Sequence, residues 1–182
     1  MTPDSTNSPA VLLDELLARG EPAQLVLVTG ESGSGKSTLC KGLIGEARKR
    51  GLIVGGVLSP PVFDGSEKVG IDLEDVATGE RRRLAHLRLR MLENAPTRKW
   101  ALDETVLCWG NDLLSTLPYC DMLVIDELGP LELNYNEGLL EGLAAVERRG
   151  FGLGIVVVRP SLLAKAQQLW PVDVVIDCTP GH

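Results

Sequence analysis

Apolar residues follow two rhythms along this chain, short unbroken runs and helical spacings, and each rhythm predicts its own kind of element. Residues 24–29 (QLVLVT), 121–126 (DMLVID), 153–158 and 172–176 are short runs with no polar face, as in strands buried on both sides. Residues 36–50 instead carry Leu39, Leu43, Ile44 and Ala47 on one side of a helix that Gly51 closes. The same spacing predicts helices over residues 103–117, 136–149 and 161 to about 170. Val11, Leu12, Leu16 and Leu17 predict a further short helix, stopped by Gly20.

Residues 53–85 have a different character. Three strands are expected, at 53–59, 69–76 and 80–84, separated by Pro60-Pro61, Asp64-Gly65-Ser66 and Thr78-Gly79. With no helix between them they form an antiparallel meander. Elsewhere strands alternate with helices. The expected fold is therefore three-layered α/β, a mostly parallel sheet with helices on both faces and the meander as an insertion. Residues 1–20 are expected to be a flexible leader with its short helix, and residues 21–182 a single domain.

Composition narrows the classes of function. Hydrophobic residues make up 44% of the chain and charged residues 24%, which suits a soluble globular protein. Aromatic residues are only 4%, so the core must rest on Leu, Val and Ile. The net charge of −7 makes a poor general partner for nucleic acid or an anionic membrane, both of which reward clustered Lys and Arg. No apolar run approaches the roughly 20 residues of a membrane span, and the polar opening has no signal-peptide pattern. The expected location is cytoplasmic. Cys40, Cys108, Cys120 and Cys178 lack zinc-site spacing and are expected to be reduced thiols in the core.

The chemistry is concentrated in Gly30-Glu31-Ser32-Gly33-Ser34-Gly35-Lys36-Ser37, which matches the phosphate-binding pattern G-x-x-x-x-G-K-[ST]. Its context fits too, with a buried strand before it and an amphipathic helix after. Glycines let the backbone turn and approach phosphate with no Cβ in the way. Amides from about Gly33 to Thr38 then face the anion, reinforced by the positive end of the helix. Lys36 is expected to bring its ammonium to the β- and γ-phosphates, and the Ser37 hydroxyl to ligate Mg²⁺. The implied ligand is a nucleoside triphosphate with Mg²⁺.

A metal-organising acid should end a neighbouring strand, and Met122, Leu123, Val124 and Ile125 lead directly into Asp126 and Glu127. Asp126 is assigned to Mg²⁺, and Glu127 to orienting and partly deprotonating an attacking water. Arg159 follows the strand at 153–158 and so emerges at the same sheet edge. It is a candidate for sensing phosphate or bordering the base, weighed against a packing or surface role. An arginine finger, which is one role it could take, contributes about 10³ to 10⁵ in rate. Arg81, Arg82 and Arg83 are the other arginine candidates, weighed against a charged, solvated edge strand. Trp100, Trp109 and Trp170 offer rings for a base, although Trp109 and Trp170 fall where helices pack.

Together, the glycine-rich segment and Asp126-Glu127-Leu128-Gly129-Pro130-Leu131-Glu132-Leu133 resemble the thermophilic and cancer-related nucleoside-triphosphatase family. Gly55-Gly56, Val157-Val158-Arg159-Pro160 and Asp177-Cys178-Thr179-Pro180 are similar to it as well. The resemblance implies Mg²⁺-dependent hydrolysis of ATP, GTP and other nucleoside triphosphates, and makes Glu132 a further site candidate. One departure is Leu58-Ser59-Pro60-Pro61, where family members continue with Thr-Glu. Two other classes stay open, a small-molecule P-loop kinase and a nucleotide-dependent adaptor with slow hydrolysis that acts through a protein partner.

Overall fold

The computed structural model describes residues 8–88 and 99–179. The expected disorder at the start of the chain and the tail from Pro180 onward lie outside the described residues, apart from Ser8 and Pro9. The helices are α1 (Pro9–Ala18), α2 (Lys36–Lys49), α3 (Glu104–Ser115), α4 (Leu140–Arg148) and α5 (Pro160–Leu169). The strands are β1 (Gln24–Thr29), β2 (Val54–Leu58), β3 (Pro61–Asp64), β4 (Glu67–Asp75) and β5 (Arg81–Leu87). They continue as β6 (Trp100–Leu102), β7 (Cys120–Ile125), β8 (Phe151–Val157) and β9 (Val174–Asp177).

One sheet holds all nine described strands in the order β6-β5-β4-β2-β7-β8-β1-β9, with β3 paired to β4. β2, β7, β8, β1 and β9 run parallel, whereas β4 turns antiparallel to β2 and begins the insertion. Parallel strands need a crossover, and the connecting helices pack on both faces of the sheet. Side-chain alternation explains the two cores. Leu25 and Leu27 of β1 join Leu123 and Ile125 of β7 beneath α3, α4 and α5. Val26 and Val28 join Met122 and Val124 on the other face, beneath α1 and α2. This is the expected three-layer architecture.

Several boundaries differ from the sequence expectation for local reasons. On α1 the buried face is Leu12, Leu13 and Leu16, while Val11 and Leu17 are exposed. Pro61 opens β3 instead of making a turn; proline is tolerated at the first position of a strand, where its missing N–H is not needed. The expected helix start at residue 136 is lost because Asn136 (φ 54°) and Gly138 (φ 82°) adopt left-handed conformations. A π-helical turn at Leu131–Tyr135 precedes them, and α4 begins at Leu140. β6 pairs with β5 only at Ala85, His86 and Leu87, so among the described residues Arg81, Arg82 and Arg83 pair with β4 alone and keep an open edge, as the charged edge-strand reading expects. Cys40 and Cys120 are buried as expected, but Cys108 is exposed.

β2 and β7 approach closely at Gly56, which has φ 110° and lies where a Cβ would meet the Val124 carbonyl oxygen at 2.0 Å. Backbone strain and overpacking each cost about 1–3 kcal/mol. Gly56→Ala should therefore lower unfolding stability by roughly 2–6 kcal/mol, read as a shifted midpoint in urea.

Candidate functional site

Four parallel strands deliver the site by ending at one edge of the sheet. Their ladder continues past the strand ends: Asp126 N–H donates to the Val57 carbonyl at 3.0 Å, and Leu128 N–H to that of Val157 at 3.0 Å. Val158 N–H donates to the Val28 carbonyl, also at 3.0 Å. Residues 30, 59, 126 and 159 are thus fixed in register with one another. Together they border a cavity of about 680 Å³, within the range of small-molecule sites.

The floor of the cavity is the glycine-rich turn between β1 and α2. Gly30, Gly33 and Gly35 all have positive φ, at 139°, 83° and 92°. Gly35 is the N-cap of α2, and no side chain caps that helix. Its first amides therefore have neither an intrahelical acceptor nor a capping oxygen, which leaves them directed at an anion. A Cβ on Gly30 would strike Ser34 Oγ at 2.6 Å and approach the Thr179 amide at 3.1 Å. The segment after β9 thereby packs against the turn, and Cys178 N–H donates to the Thr29 carbonyl at 2.8 Å. Asp177 takes part by accepting from Thr179 N–H at 2.8 Å, and hydrogen bonding to Thr179 holds its carboxyl below the usual range.

Lys36 bends back across the turn, donating to the carbonyls of Gly30 and Glu31 at 2.7 Å each. An ammonium has three protons, so one donor remains. Asp126 is buried, and burial raises its pKa. Hydrogen bonding to the Ser37 side chain and the Ser59 backbone opposes that rise, as does the Lys36 charge, while Glu127 reinforces it. The Asp126–Glu127 peptide is cis. Glu127 faces the same cavity and is ion-paired with Arg159 through its Oε1 and the guanidinium Nε.

Of the residues expected at the site, Gly30, Glu31, Ser32, Gly33, Gly35, Lys36, Ser37 and Thr38 line the cavity with Asp126, Glu127 and Arg159. Ser34 sits behind the lining, its hydroxyl buried. Glu132 is placed elsewhere. Its carboxylate is buried and accepts from Gly129 N–H at 2.8 Å and Leu139 N–H at 2.9 Å, so it braces the loop after β7. The arginine run also lies apart from the cavity. Arg81, Arg82 and Arg83 pair with Glu74, Glu80 and Asp72, and Arg82 covers the Trp109 ring at 4.3 Å. Trp170 is core.

Lys68 and Trp100 line the cavity from the insertion, and sequence gave no sign of Lys68. A lysine one residue after a hairpin turn has the pattern of an ordinary solvated charge. Trp100 stood among the stacking candidates, but its strand is only three residues long.

A divalent ion fits the donor set here. Among the described residues no group of three or more His, Cys, Asp or Glu side chains could cage a metal by itself. What the cavity offers is hard oxygen, the Ser37 hydroxyl and the Asp126 carboxylate side by side. Mg²⁺ is held in this way, by one or two protein oxygens with phosphates and waters completing the octahedron.

A sequence profile of the NTPase family matches residues 25–159. The nucleoside-triphosphatase THEP1 of Thermococcus kodakarensis is 35% identical over 115 residues, covering 62% of this chain and 64% of that protein. The match therefore spans slightly less than two thirds of that relative. THEP1 of Caldivirga maquilingensis is 33% identical over 134 residues, covering 74% and 75%. Among solved structures, a human cancer-related nucleoside triphosphatase superposes with a TM-score of 0.61 at 22% identity, covering 84% of this chain and 87% of that one. THEP1 of Aquifex aeolicus gives 0.55 at 16%, covering 86% and 91%. At these identities the two structures show a shared fold. The family profile runs from β1, through the glycine-rich turn and Asp126-Glu127, to Arg159, and the chain belongs to the NTPase family.

Proposed function

We propose that this protein hydrolyses nucleoside triphosphates to the diphosphate and phosphate in a Mg²⁺-dependent reaction with broad tolerance of the base. The observation that carries the proposal is the placement of Glu127 beside Asp126 in the cavity that the glycine-rich turn lines. A phosphotransferase has its acceptor as nucleophile, whereas hydrolysis uses water, which a carboxylate placed as Glu127 is can orient and deprotonate. The family profile and the names of the THEP1 relatives point the same way.

In this mechanism the turn amides and Lys36 grip the β- and γ-phosphoryl oxygens, and Ser37 and Asp126 would hold Mg²⁺, which would supply positive charge against the charge that develops on the phosphoryl oxygens. Glu127 accepts the proton of the attacking water, and Arg159 fixes the direction in which its carboxylate points. Pro61 and Pro160 also line the cavity, beside Ser59 and Ser161. Free thiols throughout, two of them buried, suit a reducing compartment, in keeping with a cytoplasmic location.

Phosphate release measured with purified protein, Mg²⁺ and ATP or GTP alone tests the proposal. Turnover with both triphosphates is expected, and EDTA should abolish it. NDP formed without free phosphate, and only after adding a small hydroxyl acceptor that itself becomes phosphorylated, would identify a kinase. Release seen only with a protein partner would identify an adaptor.

A further inference from the structure

We infer that Lys68, carried into the cavity by the antiparallel insertion, is a built-in cationic finger that contacts the γ-phosphoryl group, with Trp100 as its positioning platform. This assignment rests on the hydrolase proposal and adds to it a catalytic residue outside the glycine-rich turn and the strand-end acids.

Three observations converge on it. Lys68 Nζ lies 5.3 Å from the centroid of the Trp100 ring, and both residues line the cavity with Lys36, Asp126 and Glu127. A ring face attracts the ammonium without consuming its N–H donors. Unlike Arg81, Arg82 and Arg83 of the same insertion, Lys68 has no ion pair or hydrogen bond among the described residues. The hairpin is also irregular at this point: Phe63 pairs with Lys68 where the β3–β4 register shifts between Val62 and Phe63. Such irregularities re-aim side chains.

The electrostatic surroundings agree with this placement. Although the residue as a whole is exposed, partial burial of the ammonium pulls its pKa below the usual lysine value. Glu127 and Asp126 oppose that shift, while Arg159 and Lys99 reinforce it. A cation near both acids that pairs with neither is poised for a third anion. Hydrolysis delivers one as charge spreads over the γ-phosphoryl oxygens. Proximity to Glu127 and Asp126 places Lys68 at the γ end of the triphosphate, where Lys36 and the turn amides do not supply every contact.

The test compares wild type with Lys68→Met and Lys68→Arg. Steady-state phosphate release is paired with calorimetric binding of Mg·ADP and of a non-hydrolysable ATP analogue. Lys68→Met should lower kcat by about 10²-fold, comparable to losing one preorganised charge-stabilising donor. Its affinity for Mg·ADP should stay within about threefold of wild type, and Lys68→Arg should recover most of the rate, because an arginine can serve as the finger. Rising pH deprotonates Lys68 and removes the cation, so wild-type kcat should fall on the alkaline side. In Lys68→Arg that fall should move to higher pH, since a guanidinium does not titrate there. If Lys68→Met keeps kcat within about threefold, or weakens Mg·ADP as much as the triphosphate analogue, the assignment is overturned while the hydrolase proposal stands. A wild-type protein that releases no phosphate overturns the hydrolase proposal itself.

Discussion

Glu127→Gln is expected to cut phosphate release by about 10²- to 10⁴-fold, the range contributed by general-base catalysis, with Mg·NTP affinity nearly unchanged. Glutamine keeps the shape of the side chain, and its carbonyl still accepts from the Arg159 guanidinium that now pairs with Glu127. What it loses is the ability to take a proton. The loss corresponds to roughly 3–5.5 kcal/mol of transition-state stabilisation, and none of it should appear in the ground state, where the proposal gives the phosphates to Lys36 and the turn amides. Single-turnover phosphate release and calorimetry with the same triphosphate separate the two effects. A variant that turns over within threefold of wild type would remove Glu127 from the mechanism.

The same experiment sorts out Arg159. Its ion pair shows that it acts on Glu127 directly, whether or not it also reaches phosphate. If orienting the carboxylate is its whole role, Arg159→Ala should slow wild type yet add no further loss in the Glu127→Gln background. Non-additivity of this kind is the signature of residues that work through one another. A further loss in the double variant would assign Arg159 a separate contact with the nucleotide.

What the sequence disclosed, and what it hid, divides by how local the determining physics is. The strand at 24–29 and the helix start at Lys36 match expectation residue for residue, because burial on both faces, the glycine turn and the amphipathic repeat all act within a few residues. Asp126 and Glu127 were equally legible, since an apolar run that ends in acids needs no distant information. Arg159 was placed at the correct edge by the parallel sheet alone, but its partner was not. Pairing with Glu127 depends on how β7 and β8 lie in register, Ile125 beside Val156.

Sequence separation hid the rest. Lys68 and Trp100 meet only after β4 pairs with β5 and β5 with β6, so neither neighbourhood hints at the other. Glu132 misled in a different way. A family resemblance made it a site candidate, whereas its burial between two backbone amides makes it a brace for the loop carrying Gly129. The π turn that precedes Asn136 escaped because Leu139, Leu140 and Leu143 supplied a helical period that the left-handed residues at 136 and 138 interrupt. Periodicity reports which face is buried, and it is silent on where the backbone permits the helix to begin.

Lys36→Met should weaken Mg·NTP binding more than any other single change at the turn. Truncating a hydrogen-bonded charge costs about 2–5 kcal/mol when its partner anion stays bound, or roughly 30-fold to several thousand-fold in Kd. Folding should suffer little. The two bonds lost are to the carbonyls of Gly30 and Glu31, and Glu31 lies exposed where water replaces the ammonium. Each such exchange is worth about 1 kcal/mol net. Methionine also retains most of the aliphatic stem and its packing. Binding and stability should therefore separate, a large rise in Kd beside a small shift in urea midpoint. If the lysine serves the β- and γ-phosphates together, as proposed, triphosphate should lose more affinity than diphosphate. An unchanged Kd for both would mean that the turn holds phosphate through its amides alone, and Lys36 would then be only the clasp that keeps the turn closed on itself.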